Sequence, residues 1–521
     1  MPTTASADGR PRRQALVFVG FMGAGKSSAA RRVAAQLRVT PLDSDSELER
    51  ELGQSIASFI DRHGEQVFRD REEEMIVRLL ARPEARVVAL GGGGLRSERV
   101  REALRAHTVV HLDVRPAEAW HRVAGKGRPL ARDRARFEQL YREREAIYES
   151  VADAVLPSGD RDVVRRALPA MLALADAPAG TRLVWAHAAS GDYPVFLARG
   201  LLAQGFFHPG DERTFVVVDE NVARRQRLAD PPHTPEGWRL AVPGGELQKT
   251  LAAVERVVRA LAAASVGRDD LVVAVGGGVI GDMVGFSAAV YQRGVRYVQV
   301  PTTLVAQVDA AYGGKTGVDL PEAKNYVGAY HQPTAVLVDP AALDTLPREE
   351  LAAGYAEVVK TALIAGGPLW ARVREGADTT ADTILRSIRT KLAVVADDER
   401  DAGRRQVLNL GHTVGHAIEV ATGYRRYRHG EAVGIGLLCA LRLSGREDLR
   451  AEVAALLSAS GLPLCFEGAS ADEVVALVQR DKKRRRGRVP FVLVEAPGKV
   501  TPGHAVSDGE LLAAVSEACA P

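Results

Sequence analysis

The N-terminal part of the sequence contains a candidate phosphate-binding loop. The segment Gly20-Phe-Met-Gly-Ala-Gly25-Lys26-Ser27 matches the pattern G-x-x-x-x-G-K-[S/T] between a predicted strand and a predicted helix. Glycines let backbone N–H groups curl around phosphate oxygens, a lysine offsets phosphate charge, and a serine hydroxyl can bind Mg²⁺. A glycine-rich turn that holds Lys-Ser by coincidence is the alternative. The pattern favours an ATP or GTP site.

A second group of residues, in the last third of the chain, has the side chains of a metal site. One glutamate and two or three histidines match catalytic zinc, which takes about three protein ligands and leaves one position for substrate. The candidates are Glu357, His412, His416 and His429. His412 and His416 are four positions apart and share a face if the segment is helical. No glutamate follows His412 directly, which argues against a metalloprotease. Spacing alone leaves His416 open as a ligand.

A glycine-rich turn lies between these two groups. Gly276-Gly-Gly-Val-Ile-Gly281-Asp282 follows an apolar run and contains G-x-G-x-x-G. The usual dinucleotide fingerprint also needs an acidic residue about 20 positions later, and residues 291–297 offer arginines but no acid. A dinucleotide would therefore need a different arrangement here.

The elements that must position these residues read as an α/β series. Short β-branched runs alternate with amphipathic stretches, which predicts parallel sheets. The predicted strands are Leu16–Val19, Val87–Leu90, Val109–Leu112, Leu183–Trp185, Phe215–Val218, Leu271–Val275, Tyr297–Val300 and Ala335–Val338. After Pro347 such runs nearly vanish, and Glu349–Ser458 is predicted helical. We expect domains at 1–175, 183–345 and 346–521, with a linker at 176–182.

Composition limits the function classes. Lys+Arg minus Asp+Glu is 69 − 66 = +3 over 521 residues, so the overall charge does not indicate nucleic-acid binding. Three cysteines without metal-type spacing and no apolar run of 18 residues argue against a disulfide framework and a membrane span.

The basic tract Asp481–Arg488 lacks aromatic residues and is interpreted as a solvated loop near phosphate; nucleic-acid binding is the alternative. We expect a cytoplasmic protein that binds neither nucleic acid nor membranes.

The phosphate loop is followed by further motifs in order. They are Leu42-Asp43-Ser44-Asp45, Phe68-Arg69-Asp-Arg-Glu72, Gly91-Gly92-Gly93 and Arg128-Pro129-Leu130. Residues 14–170 thereby resemble shikimate kinase, a P-loop fold that phosphorylates shikimate with ATP. Independently, an anionic polyol needs a guanidinium fork and a carboxylate that orients its hydroxyl. Isolated surface ion pairs are the alternative.

The resemblance to shikimate kinase implies the site residues of the first domain. ATP is expected to contact Gly23, Ala24, Gly25, Lys26, Ser27, Ser28 and Arg128. Shikimate is expected to contact Asp45, Arg69, Gly92, Gly93 and Arg144, and Mg²⁺ to contact Ser27 and Asp43. Lys26, Asp45 and Arg128 would be catalytic, with Arg128 on a mobile lid.

The second half carries another series of ordered motifs. They include Pro301-Thr302-Thr303, Asp309, Gly313-Gly314-Lys315-Thr316 and Lys324-Asn325, together with the metal candidates. From about Leu183 to the end, the chain resembles 3-dehydroquinate synthase. That family has an α/β NAD-binding domain followed by a mainly helical metal-binding domain. The run Ala310-Ala311-Tyr312 departs from the family's two serines and leaves local packing and substrate identity open.

The resemblance to 3-dehydroquinate synthase implies a second set of site residues. Zn²⁺ or Co²⁺ would bind Glu357, His412 and His429, and His416 would either support the ligands or handle a proton. NAD would contact Asp219, Glu246, Lys249, Gly278, Gly281, Asp282, Thr302, Thr303, Lys315 and Lys324. The heptulosonate phosphate substrate would contact Asp309, Lys315, Asn325, Lys360, Lys391, Arg405, Asn409 and Lys482. Lys315, Lys360 and His416 would be catalytic.

The two resemblances together predict a bifunctional enzyme of aromatic amino-acid synthesis. One half would phosphorylate shikimate, and the other would cyclise 3-deoxy-D-arabino-heptulosonate 7-phosphate to 3-dehydroquinate with NAD and a metal. The resemblance also implies a possible homodimer through the synthase half. Two alternatives stay open at this point. One is a small-molecule kinase fused to another sugar-phosphate cyclase, and the other is an N-terminal nucleotide-binding module without catalysis.

Overall fold

The computed structural model describes residues 14–124, 133–226, 230–321, 323–376, 379–479 and 489–520. The chain forms two compact units. Unit 1 contains the residues up to Trp185 together with Pro194–Phe196, and unit 2 contains Ala186–Tyr193 and Leu197 onward.

Unit 1 alternates short buried strands with helices. Its elements in chain order, including two strands at the unit boundary, are β1 (Leu16–Val19), α1 (Lys26–Leu37), β2 (Leu42–Asp43), α2 (Ser44–Leu52), α3 (Ile56–His63), α4 (Glu65–Leu80), β3 (Val87–Ala89), α5 (Glu98–Leu104), β4 (Thr108–Asp113), α6 (Pro116–Val123), α7 (Arg134–Val151), β5 (Ala154–Pro157), α8 (Val163–Arg166), α9 (Leu168–Ala173), β6 (Arg182–Ala186) and β7 (Tyr193–Leu197). A short 3₁₀ helix spans Gly94–Arg96.

The sheet of unit 1 is parallel and has β1 at its centre. Its strand order is β2-β3-β1-β4-β5-β6, and Leu16 lies opposite Val87 on one side and Thr108 on the other. All four residues of β1 are buried, which explains its uninterrupted apolar sequence. The strand order reverses at β1, because β2 and β3 lie on one side of it and β4 and β5 on the other. Ligands of parallel sheets bind outside the carboxyl ends of the strands at such a point. The phosphate loop follows β1 directly.

Unit 2 begins with a second α/β series and continues mainly as helices. Its elements are β8 (Thr214–Asp219), α10 (Glu220–Arg225), β9 (Arg239–Val242), α11 (Leu251–Ala263), β10 (Leu271–Gly276), α12 (Gly278–Val290), β11 (Arg296–Pro301), β12 (Lys315–Leu320), β13 (Ala323–Tyr330), β14 (Ala335–Val338), α13 (Arg348–Ala365), α14 (Gly367–Arg374), α15 (Ala381–Asp397), α16 (His412–Ala421), α17 (His429–Leu443), α18 (Glu447–Ala459), α19 (Ala471–Gln479), β15 (Phe491–Ala496), β16 (Lys499–His504) and α20 (Asp508–Glu517). Short helical turns span Glu246–Gln248, Tyr291–Arg293, Ala306–Ala310, Pro340–Thr345 and Arg404–Asn409.

The parallel sheet of unit 2 has the order β14-β11-β10-β8-β9. The strand order reverses between β8 and β10, so the carboxyl ends of these strands form the predicted ligand crevice. Asp219 ends β8 and Gly276 ends β10. The core beneath combines apolar residues of the sheet with α11 and α12. Two antiparallel hairpins, β12–β13 and β15–β16, complete the unit.

Glycines bring the backbones of α13, α16 and α17 into contact. A Cβ atom at Gly430 would lie 1.8 Å from Ala353 O, and one at Gly436 would lie 2.0 Å from Gly411 O. A Cβ at Gly415 would lie 3.0 Å from Ala432 O. These helices therefore approach with no side chain between them at the crossings.

The predicted fold class is confirmed, with additional strands that the sequence did not indicate. The eight predicted strands are present within two residues at either end. Of the additional strands, β2, β5 and β9 are short, β12–β13 and β16 contain many polar or partly exposed residues, and β7 and β15 are mainly apolar. Among the described residues, no helix is both long enough and apolar enough to span a bilayer.

Candidate active sites

The phosphate loop of unit 1 is shaped by glycine backbone geometry. Gly23 and Gly25 have φ values of 84° and 90°, a region that side-chain-bearing residues rarely occupy. Lys26 Nζ donates to Gly20 O at 2.9 Å and to Phe21 O at 3.3 Å, so the lysine folds over its own loop. Gly25 offers no side chain to cap α1, which leaves first-turn N–H donors for phosphate. The predicted ATP residues 23–28 are thus contiguous around one concave turn.

The two predicted aspartates lie where β2 passes into α2. Asp43 Oδ1 accepts from the backbone N–H of Asp45 at 3.1 Å and of Ser46 at 3.4 Å, so Asp43 caps the helix. Ser44 Oγ is buried and accepts from Gly91 N at 2.7 Å, which ties this turn to the segment after β3. A Cβ atom at Gly91 would lie 2.3 Å from Asp45 Oδ1. The Asp45 carboxylate therefore rests against the Gly91–Gly93 segment.

The two predicted arginines reach the same segment from α4 and α7. Arg144 Nη1 donates to Gly92 O at 3.0 Å, and its side chain is buried. Arg69 Nη1 lies 2.7 Å from Glu72 Oε2, and a Cβ atom at Gly93 would lie 2.2 Å from the same nitrogen. The structure thus brings Asp45, both arginines and the Gly92-Gly93 backbone together.

Two further residues of this cluster were missed by sequence reasoning. Tyr148 OH donates to Gly92 O at 2.8 Å, one helical turn after Arg144. Burial raises the pKa of Glu72, although Arg69 opposes this. The signal for Glu72 was its position three residues after Arg69 on a helix. Arg128 lies outside the described residues.

In unit 2, the predicted dinucleotide residues line the carboxyl edge of the sheet. Asp219 Oδ1 accepts from Asn221 N at 2.7 Å, and Asp219 Oδ2 would be 2.0 Å from a Cβ at Gly244. The glycine turn after β10 packs equally tightly against its neighbours, since a Cβ at Gly277 would lie 2.9 Å from Thr303 Cγ2. A Cβ at Gly278 would lie 3.1 Å from Ala310 Cβ, and one at Gly281 2.5 Å from Gln299 Oε1. The glycines are required here by close approach.

A chain of charged groups crosses this edge. Lys249 Nζ lies 2.6 Å from both Asp282 Oδ2 and Asn325 Oδ1. Burial lowers the pKa of Lys249, but Asp282 and Glu246 outweigh it and the net shift is upward. Lys324 Nζ lies 2.9 Å from Glu246 Oε1. The acids that the simple fingerprint lacked are thus present, although they pair with lysines of the same site. Thr302 is buried beside this turn, and its hydroxyl has no hydrogen-bond partner among the described residues.

The residues predicted to bind phosphate gather around Asp309. Lys391 Nζ lies 2.8 Å from Asp309 Oδ1, and Lys360 Nζ lies 3.8 Å from the same oxygen. Burial raises the pKa of Asp309, but Lys360 and Lys391 together hold it below its ordinary value. Both lysines are buried, so this part of the unit concentrates positive charge away from water.

Three other predicted substrate residues lie at the ends of loops. Arg405 Nη2 donates to Gly313 O at 3.1 Å, which fixes the turn before Lys315. Lys315 Nζ pairs with Asp401 on the exposed side of the site. Asn409 ends the short helix that precedes His412. The predicted residue Lys482 and the basic tract 481–488 lie outside the described residues.

The family departure at Ala310–Tyr312 is accommodated by packing. Tyr312 is buried, and its hydroxyl donates to Gln307 O at 2.7 Å. The Tyr193 hydroxyl, also buried, accepts from Gly313 N at 3.1 Å. Sequence reasoning missed Tyr193, which lies far from this turn in the chain. The tyrosine hydroxyls are thus engaged with backbone groups.

The metal candidates meet between α13, α16 and α17. The ligand atoms of His412, His416 and His429 lie within 4.8 Å of one another. Glu357 Oε1 lies 3.5 Å from His412 Nε2 and 3.4 Å from His429 Nε2. Glu357 is fully buried, and among the described residues neither of its oxygens accepts a hydrogen bond of normal geometry. Lys360 Nζ contacts its other oxygen. These donors fit a divalent cation, and His416 lies in the same cluster.

The electrostatic surroundings keep the donors in different protonation states. Burial, together with the Lys360 charge, lowers the pKa of His412 to about 3. Burial alone would lower the pKa of His429, but the nearby carboxylates of Glu357 and Glu419 raise it to about 9. Burial would raise the pKa of Glu357, but Lys360 and the two histidines hold it well below its ordinary value. A neutral imidazole and an ionised carboxylate are the forms that bind metals.

Comparison with known proteins agrees with this geometry. The family models described as 3-dehydroquinate synthase N-terminal and C-terminal match residues 239–353 and 354–484. The 3-dehydroquinate synthase of Gloeobacter violaceus is 47% identical over 278 residues, which cover 51% of this chain and 77% of that protein. The enzyme of Halorhodospira halophila is 43% identical over 335 residues, covering 61% and 94%. The chain belongs to the 3-dehydroquinate synthase family.

The synthase family accounts for unit 2, and a second family accounts for unit 1. The family model described as shikimate kinase matches residues 22–171. A solved 2-epi-5-epi-valiolone synthase from Streptomyces hygroscopicus, with NAD⁺ and Zn²⁺ bound, is 27% identical to this chain with a TM-score of 0.55. It covers 62% of this chain and 95% of its own. The prediction of two enzyme families on one chain is confirmed.

Proposed function

We propose that this chain catalyses two reactions of the shikimate pathway. The kinase unit transfers phosphate from ATP, held with Mg²⁺, to shikimate. The synthase unit converts 3-deoxy-D-arabino-heptulosonate 7-phosphate to 3-dehydroquinate with release of phosphate, using NAD and Zn²⁺ or Co²⁺. The observation that carries the second assignment is the meeting of Glu357 with three histidines beside the lysine-rich dinucleotide edge.

In the kinase unit, each cluster has a separate task. Backbone N–H groups of residues 23–28 and Lys26 hold the ATP phosphates, while Ser27 and Asp43 hold Mg²⁺. Arg69 and Arg144 bind the shikimate carboxylate, since paired guanidinium groups recognise a planar anion. Asp45 lies against the same Gly91–Gly93 segment and orients the hydroxyl that attacks phosphate. Arg128 closes the lid over the transferring phosphate.

In the synthase unit, the side chains divide between cofactor and substrate. Asp219, Glu246, Lys249, Asp282 and the glycine turn hold NAD at the carboxyl edge of the sheet. When bound, NAD supplies reversible hydride removal and the divalent ion polarises a substrate hydroxyl. Further NAD contacts come from Thr302, Thr303, Lys315 and Lys324.

The lysines around Asp309 stabilise the phosphate that leaves. Lys360 and Lys391 are buried and share that carboxylate, so their charges are held in place before substrate arrives. Arg405, Asn409, Asn325 and Lys315 complete the anion contacts. Of the three histidines, His416 is the one proposed to move a proton.

Both assays on the purified full-length protein test the proposal. We expect ATP-dependent phosphorylation of shikimate and NAD-dependent phosphate release from the heptulosonate phosphate. A zinc-selective chelator should remove only the second activity, provided that Mg²⁺ is kept in excess. A panel of other sugar phosphates serves as the control, because release from one of them alone would contradict the synthase assignment. Failure to phosphorylate shikimate at high enzyme concentration would contradict the kinase assignment.

The remaining expectations belong to the same proposal. We place the protein in the cytoplasm and propose that the synthase unit forms a homodimer. Both units act on small molecules, and light scattering of the purified protein would measure the oligomeric state directly.

A further inference from the structure

Glu419 lies on the face of α16 that carries the metal histidines. It follows His412 by seven positions and His416 by three, which are spacings of one helical face. Its side chain is only 3% exposed. Such a buried carboxylate requires charged partners, because an unpaired ion is costly away from water.

Two nitrogen groups, an imidazole and an ammonium, share one oxygen of this carboxylate. His429 Nδ1 lies 3.4 Å from Glu419 Oε1, and Lys324 Nζ lies 2.9 Å from the same atom. On the far side of the imidazole, His429 Nε2 lies 3.4 Å from Glu357 Oε1. On the far side of the lysine, Nζ lies 2.9 Å from Glu246 Oε1. An unbroken series of polar contacts therefore joins the metal ligands to the dinucleotide edge, and Glu419 is its middle member.

We propose that Glu419 is a positioning residue that holds His429 for the metal and Lys324 for NAD. A carboxylate at Nδ1 keeps the ring proton on that nitrogen and turns Nε2 toward Glu357, as ligand histidines generally require. The same oxygen fixes the lysine ammonium beside Glu246. This inference rests on the proposed function of the synthase unit, since it takes His429 as a ligand and Lys324 as an NAD contact.

The test uses Glu419→Gln in the full-length protein, because glutamine keeps the volume and removes the charge. Zinc affinity is measured by competition with a chromophoric chelator, and NAD affinity by calorimetry. We expect the zinc dissociation constant to rise about 10- to 100-fold and that of NAD about tenfold. Shikimate kinase activity should not change, and an unchanged far-UV circular dichroism spectrum would show that the variant is folded.

Two further variants separate the roles. Glu431→Gln is the matched control: this residue lies two positions after His429, but its carboxylate accepts from Arg428 N at 2.8 Å. We expect its zinc affinity to stay within about twofold of the parent. Lys324→Met should weaken NAD binding and leave zinc binding intact.

Each outcome decides a different point. Unchanged zinc affinity in Glu419→Gln, or an equal loss in Glu431→Gln or Lys324→Met, would overturn the positioning role. Unchanged NAD affinity in Glu419→Gln would overturn its role toward Lys324. If the parent protein itself binds no zinc, the proposed function of the synthase unit fails instead.

Discussion

A methyl group at Gly93 should disable shikimate recognition without removing any binding side chain. A Cβ atom there would lie 2.2 Å from Arg69 Nη1 and 3.0 Å from Cζ of the same guanidinium. Gly93 has φ −98° and ψ −26°, values that alanine adopts without strain. The side chain of Arg69 must therefore move, whereas the backbone at Gly93 can keep its conformation.

The size of the effect follows from that clash. Non-bonded atoms settle at about 3.5 Å, so Nη1 must move by more than 1 Å and away from its 2.7 Å contact with Glu72. Misplacement of a binding group by about 1 Å can cost about 100-fold, and a lost charge-assisted hydrogen bond costs about 1.5–3 kcal/mol. We expect kcat/KM for shikimate to fall about 10- to 100-fold, with KM for ATP unchanged.

The adjacent glycine supplies the matched control. A Cβ atom at Gly92 would lie 3.5 Å from Tyr148 OH and 3.6 Å from Arg144 Nη1, which are ordinary contacts. Steady-state kinetics of Gly93→Ala and Gly92→Ala, with shikimate and ATP varied in turn, measure the difference. Equal losses in the two variants would refute the reasoning, because displacement of Arg69 could not then be the cause. A loss of synthase activity in Gly93→Ala would point to general misfolding.

Three more predictions concern the separate sites. Lys26→Ala should lower kinase kcat by about 100- to 1,000-fold and leave the synthase activity unchanged. Coupled assays on one preparation measure the two activities, and loss of both would contradict independent sites. His412→Ala should lose tightly bound zinc and synthase activity but keep the kinase, so a normal metal content by mass spectrometry would remove it from the ligand set. Gly277→Ala places a methyl group 2.9 Å from Thr303 Cγ2, so calorimetry should show that NAD binds about tenfold more weakly. An unchanged NAD affinity would show that NAD does not depend on the backbone position at Gly277.

The sequence predicted strands that form uninterrupted apolar runs, and it missed strands that are short, that carry polar residues or, like the buried β7 with its Pro194, that contain a proline. Leu16–Val19 and Ala335–Val338 are apolar throughout, and their observed bounds equal the predicted ones. The hairpin β12–β13 was missed because its residues include Lys315, Asp319, Lys324 and Asn325, which do not alternate with apolar residues as a half-buried strand would. A polar composition here reflects contacts with other parts of the site.

In the sites too, residues within one short motif were predicted, whereas residues that meet only through the tertiary structure were missed. The phosphate loop and the spacing of His412 and His416 are local patterns, and both are found on the elements that were predicted. Glu419 was missed although it shares their helical face, since a single acid without its partners is common on helices. Its two partners come from β13 and α17, and only the tertiary structure brings them to one oxygen. The predicted residues Arg128 and Lys482 stay predictions.

The helices that carry the metal donors touch backbone to backbone at Gly411, Gly415, Gly430 and Gly436. Contacts of this kind have no side chain that can change rotamer, so the spacing of the helices cannot be adjusted in small steps. Any larger residue at Gly430 or Gly436 would wedge the helices apart and separate the donors. Adaptation to a larger ion or a bulkier substrate would therefore have to change the loops around the metal donors, because the distances between α13, α16 and α17 are fixed.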